Sequence, residues 1–565
     1  MRTPTQKQRP RKAIVDSFPS PTGGLVSNRN LAMSRGAGDM PAAAVMNDVF
    51  PTATGVVVRR GSSRWATLGV GSGGSVGSSP VRSMFTYISG DTEEMFSATD
   101  DTIYNVTAPP TPFNISMVDE FGNIIVDEFG EPIVSISSSG DLAGLEDQNG
   151  GDWSVVQYSN ADGDAFLVGV NGADPAFLYD GSTFDTTTIT FPALSTLTTA
   201  DLSYVWIYKQ RLWFIQKDSL DAWYLPVDQV GGELTRWPMG GIFVLGGSLQ
   251  WGQAWSLDSG GSGGLSEQCV FTTTEGEVAA YQGLSPDVDQ GWTKAGLYRI
   301  GKPLGKKAFM RAGGDLVIAT SVGFISLASA ANKDYAALGQ NAVSYAIEDD
   351  WAQAIAERGD QDWRVTVWAD GQMVLISPPQ FEGENPETFV SNVNTGRWCK
   401  FRGWDITAMT VFDGKLFFGA SNGTVLRGWD TGADEGLPYT WQCLPLFSDF
   451  EQPASQKTLK TARATTRSPA GLKVQVSGHA NFKAKFPAAP PIPLDTAGDL
   501  WDASVWNQAT WGGRQSLTTV GDWVSVGGAG SDLSVGVQGS SGLPVPVDIE
   551  IIRLDVTYEV AGVGS

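Results

Sequence analysis

GKLFFGASNGTVLRGWD, from Gly414 to Asp430, contains no obvious chemistry. Leu416, Phe417 and Phe418 form an apolar run, Ser421-Asn422-Gly423 is a turn signal, and Val425 to Trp429 is apolar again. The stretch therefore predicts two short strands around a tight turn. Similar stretches recur at 95–106 (MFSATDDTIYNV), 166–181 (FLVGVNGADPAFLYDG), 211–226 (RLWFIQKDSLDAWYLP), 269–283 (CVFTTTEGEVAAYQG) and 316–329 (LVIATSVGFISLAS). A less complete copy, MVLISP, lies at 373–378. Most steps between copies are about 43–57 residues, the spacing of propeller blades of roughly four strands. A lone hairpin cannot bury both faces, whereas blades stacked around an axis bury one another.

Composition agrees with many short strands. The 565 residues include Gly 68 and Trp 20, which suits glycine turns and wide aromatic side chains between sheets. The expected fold is all-β: a β-propeller of about six to seven blades over 81–437, with an insertion near 108–150. Residues 1–80 are expected as a basic arm and extended platform segment. Residues 438–565, where composition changes, are expected as a sandwich-like domain built from alternating stretches such as VDIEIIRLDVTYEV. No run of about 18 apolar residues is present, so no membrane span is expected.

Little in the chain suits catalysis. Cys269, Cys399 and Cys443 are far apart with no CxxC, which supports neither a disulfide framework nor a zinc site. His479, in VSGHANF, is the single histidine, so histidine triads and zinc hydrolysis lack their usual parts. Carboxylates remain. Asp119, Glu120, Asp127 and Glu128 lie in a duplicated DEFG within 118–134, either as acid/base or cation groups or as tips of a solvated hairpin. Ser285 to Gly291 is half of a calcium loop without its distal Glu. The glycine-serine tracts at 71–79 and 258–264 are loops or linkers, because no GK[ST] leads from them into a helix. Apolar Val343, Ile347, Trp351 and Ile355 predict an amphipathic helix over 341–357. Trp501, Trp506 and Trp511, five residues apart, match neither a strand face nor a helix stripe. No catalytic residue, metal ligand or cofactor is assigned.

The N-terminal part carries a more specific pattern: Pro21, Gly23, Gly24, Leu25, then Met40, Pro41, Ala44, Asn47, Phe50, Pro51, then Gly55, Val56, Arg59 and Gly61. This combination resembles the start of tail hub or nozzle proteins of short-tailed bacteriophages, with Val26 where the common pattern has Asn. The resemblance continues through 208–232, 301–328, 499–513 and 547–563. It implies a structural virion protein, a homohexamer at the distal end of the tail below an adaptor ring. Such a ring retains the packaged genome and forms the channel for DNA ejection, with tail fibres or a needle-like plug attached nearby.

Charge fits a channel that double-stranded DNA passes without sequence-specific binding. The net charge is −23, and phosphate binding needs neutralising Lys and Arg. Basic stretches at 2–12, 302–311 and 456–473, together with family-matched N-terminal positions, then suit contacts with neighbouring subunits or the adaptor. The residues expected at those contacts are Asn28, Arg29, Arg59, Arg60, Lys302, Lys306, Lys307, Arg311, Lys457, Lys460, Arg463 and Arg467. The rival expectation is a propeller glycosidase or lyase using two carboxylates, or a carbohydrate-binding adhesin acting on the host envelope.

Overall fold

In the computed structural model, Lys415–Gly419 and Thr424–Arg427 are adjacent antiparallel strands, paired from Phe417↔Arg427 to Gly419↔Val425. The turn between them has a local cause. Gly423 sits at φ 78°, where a side chain is strained, and Asn422 Oδ1 accepts from the Thr424 amide at 3.1 Å. The preceding strand, Ala408–Phe412, joins Lys415–Gly419 through Asp413 and Gly414, both at positive φ, the geometry that suits a two-residue hairpin. The structure describes residues 13–27, 40–68, 79–109, 113–116, 134–137, 143–258, 265–286, 291–380, 386–468, 474–492, 517–543, 546 and 548–563. The DEFG carboxylates and Trp501, Trp506 and Trp511 lie outside them.

Each recurrent stretch contributes consecutive strands to one sheet, so the blade repeat is real. Blade 1 contains Ser83–Ser89, Thr92–Ala98, Ile103–Asn105 and Ala143–Leu145; blade 2 contains Ser154–Ser159, Ala165–Val170, Phe177–Tyr179 and Phe184–Asp185. Blade 3 is Leu202–Tyr208, Arg211–Gln216, Asp221–Tyr224 and Thr235–Pro238. Blade 4 is Leu249–Asp258, Leu265–Thr273, Glu277–Gly283 and Trp292–Arg299. Blade 5 has three strands, Phe309–Ala312, Asp315–Thr320 and Gly323–Ser326. Blade 6 is Arg364–Trp368, Met373–Ser377, Glu387–Asn392 and Trp398–Arg402, and the opening hairpin belongs to blade 7. Among the described residues five blades are four-stranded sheets, blade 5 is a three-stranded sheet, and blade 6 is four strands of a larger sheet. First strands of successive blades are neighbours, and Ala408–Phe412 meets Ser83–Ser89 to complete the circle.

The circle is sealed by a strand from the other end of the chain. Ser63–Thr67 pairs antiparallel with Thr424–Arg427 and supplies the fourth strand of blade 7. Ala66 and Val425, opposite each other in this pairing, are both fully buried. The remaining early strands join the C-terminal region. Ile14–Pro19, Val49–Pro51 and Val56–Val58 share a sheet with Ser455–Ser468 and Glu550–Val563. Ala43–Asn47 pairs with Tyr439–Pro445 in a second sheet with Leu533–Ser541 and Gln475–Ala480. Leu459, Ala462 and Ala464 from the first sheet share a core with Leu533, Val535 and Val537 from the second, which makes the region a sandwich. Ala43–Asn47 also touches blade 6 in parallel, Asn47 against Lys400, so sandwich and propeller share one continuous sheet.

The helix departs from its expected limits. Residues 341–357 were expected to be helical throughout, but the helix spans Glu348–Arg358. The Val343 amide donates to the Phe324 carbonyl at 2.9 Å, and Ser344 Oγ accepts from the Phe324 amide at 3.0 Å. These bonds hold 343–344 on the edge of blade 5 in place of a first helical turn. The helix starts where Glu348, Asp349 and Asp350 can face its positive end.

Aromatic side chains fill the wedges between blades. Trp213 of blade 3 stacks between Trp206 (ring centres 5.9 Å) and Trp292 of blade 4 (5.5 Å), and meets Phe271 edge-on at 5.5 Å. It is fully buried. Trp213→Ala removes this plug and is expected to cost about 3–5 kcal/mol. Urea unfolding followed by circular dichroism would register a lowered midpoint; an unchanged midpoint would show that blades 3 and 4 do not depend on the stack.

Candidate functional site

The residues of the N-terminal pattern converge where blades 6 and 7 meet the sandwich. Gly24, at φ 82°, passes so close to blade 6 that an added Cβ would lie 2.9 Å from the Trp398 amide nitrogen. The next amide, of Leu25, donates to the Trp398 carbonyl at 2.7 Å. Phe50 packs edge-on against Trp429 at 6.4 Å. Gly61 runs past blade 7, where an added Cβ would meet the Ala433 carbonyl oxygen at 2.0 Å; only glycine passes there.

Arg59 sits at the middle of this joint with its side chain fully buried. All five of its N–H donors are used. Nε donates to Asp48 Oδ1 at 2.6 Å, and the two terminal nitrogens grip Asp434 at 2.9 and 2.7 Å. The remaining two protons go to the carbonyls of Arg60 at 3.2 Å and Arg402 at 2.7 Å. The guanidinium lies 4.0 Å from the Tyr439 ring centre and 5.0 Å from that of Trp404, whose indole donates to Asp434 at 3.0 Å. Burial opposes the charge on Arg59, but Asp48 and Asp434 together outweigh it and push its pKa up. One cation thereby ties the turn after Ala43–Asn47, the end of blade 6, the exit of blade 7 and the start of the sandwich strand Tyr439–Pro445.

Arg59 was expected at a contact with another subunit, and so was Lys457. Both are interior residues. Lys457 is fully buried, and its ammonium donates to the carbonyls of Gln452 (2.7 Å), Ser455 (3.1 Å) and Ser531 (2.7 Å). Their charges are satisfied within the chain, so neither is free to meet a neighbour. Lys460 and Arg463, from the same strand, pair across the sheet with Glu559 at 3.2 Å and Asp555 at 2.8 Å. Arg60 pairs with Asp548 at 2.8 Å, and Lys302 is exposed with Glu275 3.8 Å away. Arg467 is exposed and, with Arg60, Trp429 and Glu550, lines a cavity of about 300 Å³. Asn28 and Arg29 lie outside the described residues.

Within the basic stretch 302–311, Lys306 and Lys307 turn inward, toward the propeller axis. Lys306 and Lys307 meet Asp152 at 3.1 and 3.0 Å, and Arg364, on the first strand of blade 6, reaches the same carboxylate at 3.0 Å. Burial opposes ionisation of Asp152, yet Lys307, Arg364 and Lys306 hold its pKa well below the usual carboxylate range. Lys307 is lowered to about 8, by desolvation first and then by its cationic neighbours, with Asp152 opposing. Arg311 donates to Gln253 Oε1 at 2.7 Å. Asp152 and Arg364 were not anticipated from sequence, because nothing in GGDW or WRVTVW announces a charge cluster. Their meeting depends on the closure of the ring.

His479 is a packing residue. It is buried against Phe486 at 4.9 Å, with Ser477 Oγ 2.9 Å from Nε2 and the Lys485 amide donating to Nδ1 at 3.3 Å. Burial lowers its pKa. Cys269, Cys399 and Cys443 are free and buried, and burial pushes the Cys443 thiol up to about 12.

No protein-family model and no curated protein matches the chain. Among solved structures, it is similar to the extracellular domain of a hybrid two-component system from B. thetaiotaomicron, at 14% identity and TM-score 0.36. That likeness covers 75% of this chain and 45% of the other, so this chain spans less than half of that protein's length. It is also similar to BBS1N, solved in complex with ARL6DN, at 11% identity and TM-score 0.25, over 63% of this chain and 80% of that one. Likeness at this level speaks to neither ligand nor partner.

Two outcomes are expected at these sites. Arg59→Ala leaves two carboxylates buried without their cation and is expected to cost about 3–5 kcal/mol. Arg59→Lys should recover only part of that, since an ammonium cannot fork between two carboxylates; full recovery of the urea midpoint would mean that charge alone matters. For His479, the folded state resists protonation while the unfolded chain takes a proton near pH 6.5. Its contribution therefore leaves stability intact above that pH and erodes it as pH falls below. Melting curves of His479→Gln between pH 7 and 5.5 should show a shallower acid decline than the wild type, and a parallel decline would refute the assignment.

Proposed function

We propose that this chain is the distal hub or nozzle of a short phage tail: a structural virion protein that assembles as a homohexamer, retains the packaged genome and forms its exit channel. The observation that supports this reading is the fate of the N-terminal pattern shared with that family. Gly24, Leu25, Phe50, Arg59 and Gly61 all serve the joint between propeller and sandwich. A pattern used to weld two domains into one body suits a part that transmits force and holds a fixed shape around a channel.

Electrostatics supports the same role. Six copies would multiply a net charge of −23, and at physiological salt the repulsion of a phosphate backbone reaches about 8 Å from an acidic wall. Several of the basic side chains are held by acids of the same chain: Arg59 by Asp48 and Asp434, Lys306 and Lys307 by Asp152, Arg463 by Asp555. Lys302 and Arg467 keep exposed cationic heads and are the residues we assign to contacts with a neighbouring subunit or an adaptor ring. Tail fibres or a needle-like plug would complete the assembly.

Electron microscopy of the purified full chain, alone and with an adaptor ring, tests this. Six-fold rings with an open, acidic bore are expected, and Arg467→Glu combined with Lys302→Glu should shift them toward single subunits without altering the fold. A compact monomer at all concentrations, or release of oligosaccharides from host envelope polysaccharide, would sink the proposal.

A further inference from the structure

The propeller axis holds a cationic cavity that the nozzle reading leaves without a role. It encloses about 200 Å³ and is lined by Ser83, Trp153, Ser154, Tyr204, Lys307 and Arg364, residues of the first strands of four blades and the segments flanking them. Three cations, Lys306, Lys307 and Arg364, surround one carboxylate, Asp152. Two formal positive charges are left over. Arg311, bonded to Gln253, adds a further cation near Tyr204.

The donors are also in excess. Lys307 Nζ and Arg364 Nη2 converge on the same oxygen, Asp152 Oδ1, each at 3.0 Å. Arg364 Nη1 is buried and has no hydrogen-bond partner among the described residues. A buried guanidinium nitrogen with no acceptor is costly, and a surplus of positive charge in a partly desolvated cavity is costlier still. Both are relieved by one occupant: an anion with several acceptor oxygens. The hydroxyl-bearing residues Ser83, Ser154 and Tyr204 on the wall belong to the same polar lining, although Ser83 Oγ already donates to the Gly151 carbonyl at 2.6 Å.

We propose that the axial cavity is a binding site for a phosphate-class oxyanion, held by Lys307 and Arg364 with Lys306 behind them. A phosphate group matches the site in charge, since its two negative charges neutralise the surplus, and in shape, since its oxygens suit a forked guanidinium. The group can come from inorganic phosphate or from a small phosphomonoester, and the cavity volume admits either. The site lies within a single propeller, so its occupancy is independent of whether the chain forms a ring.

The test uses the full chain in phosphate-free buffer. Isothermal titration with inorganic phosphate, and in a separate arm with glycerol phosphate, should show saturable binding at one site per chain. Preference between the two arms identifies the source. Arg364→Met and Lys307→Met should each weaken binding at least ten-fold, while Arg82→Met, at the exposed pair with Asp100, should leave it unchanged. Asp152→Asn gives a readout that a purely structural salt bridge would not. Freed of its competing carboxylate, the site should bind phosphate more tightly, and phosphate should raise the melting temperature of this variant more than that of the wild type. Absence of saturable binding in both arms, or binding indifferent to Arg364 and Lys307, overturns the proposal. Should either methionine variant fail to fold, Arg364→Lys and Lys307→Gln carry the same comparison. A negative result here with six-fold rings in the microscope removes the anion site and leaves the nozzle reading standing.

Discussion

The structure depends on one buried cation. Arg59 is placed where its own segment, with Asp48, meets two segments distant in sequence, at Arg402 and at Asp434, and each of its N–H groups is committed to a different acceptor or to one arm of a forked carboxylate. A buried ion pair of this kind is weak evidence for net stability, because desolvation consumes most of the Coulomb gain. Its value lies in specificity. Any arrangement of sandwich and propeller that misplaces Asp48 or Asp434 strands a charge in the interior, so alternative dockings of the two domains are penalised far more than the correct one is favoured. Tyr439, whose ring stacks on the guanidinium and whose hydroxyl donates to the Arg59 carbonyl, adds the same constraint from the sandwich side.

How far the fold was legible follows from the range of the interactions that make it. The blade hairpins could be read because their causes are local: apolar runs a few residues long, with Asn422-Gly423 or Asp413-Gly414 at the corner. The sandwich was legible from alternation in the stretch that became Glu550–Val563. What escaped was long-range. Residues 1–80 were expected as an arm and platform, whereas Ile14–Pro19 and Ser63–Thr67 are strands of other sheets. No pattern within a strand reveals a partner several hundred residues away. The helix start was misplaced for a related reason, since an edge strand of blade 5 outcompeted helical periodicity for Val343 and Ser344.

The site residues show the same divide. A run of lysines and arginines looks alike in sequence whether it faces solvent, crosses a sheet or lies buried. Lys457 and Lys460 are three residues apart, yet one is enclosed by carbonyls and the other is half-exposed beside Glu559. The opposing acids sit on Glu550–Val563 or at Asp152, and only tertiary structure brings them near. Basic stretches in strand-rich chains therefore mark where counter-charges should be sought inside the molecule before a partner is invoked outside it.

The strand that completes blade 7 carries a consequence for biosynthesis. The strands between Ile14 and Thr67 leave the ribosome well before the segments they pair with, which lie between Trp398 and Val563. Throughout translation the early strands have unpaired edges and no partner to cover them, a state that invites association with other nascent chains. Contacts of such long sequence separation also make folding slow. Blades 1 to 6 can form in order as they emerge, but the circle stays open until Thr424–Arg427 reaches Ser63–Thr67, so closure waits on a pairing that spans more than three hundred residues.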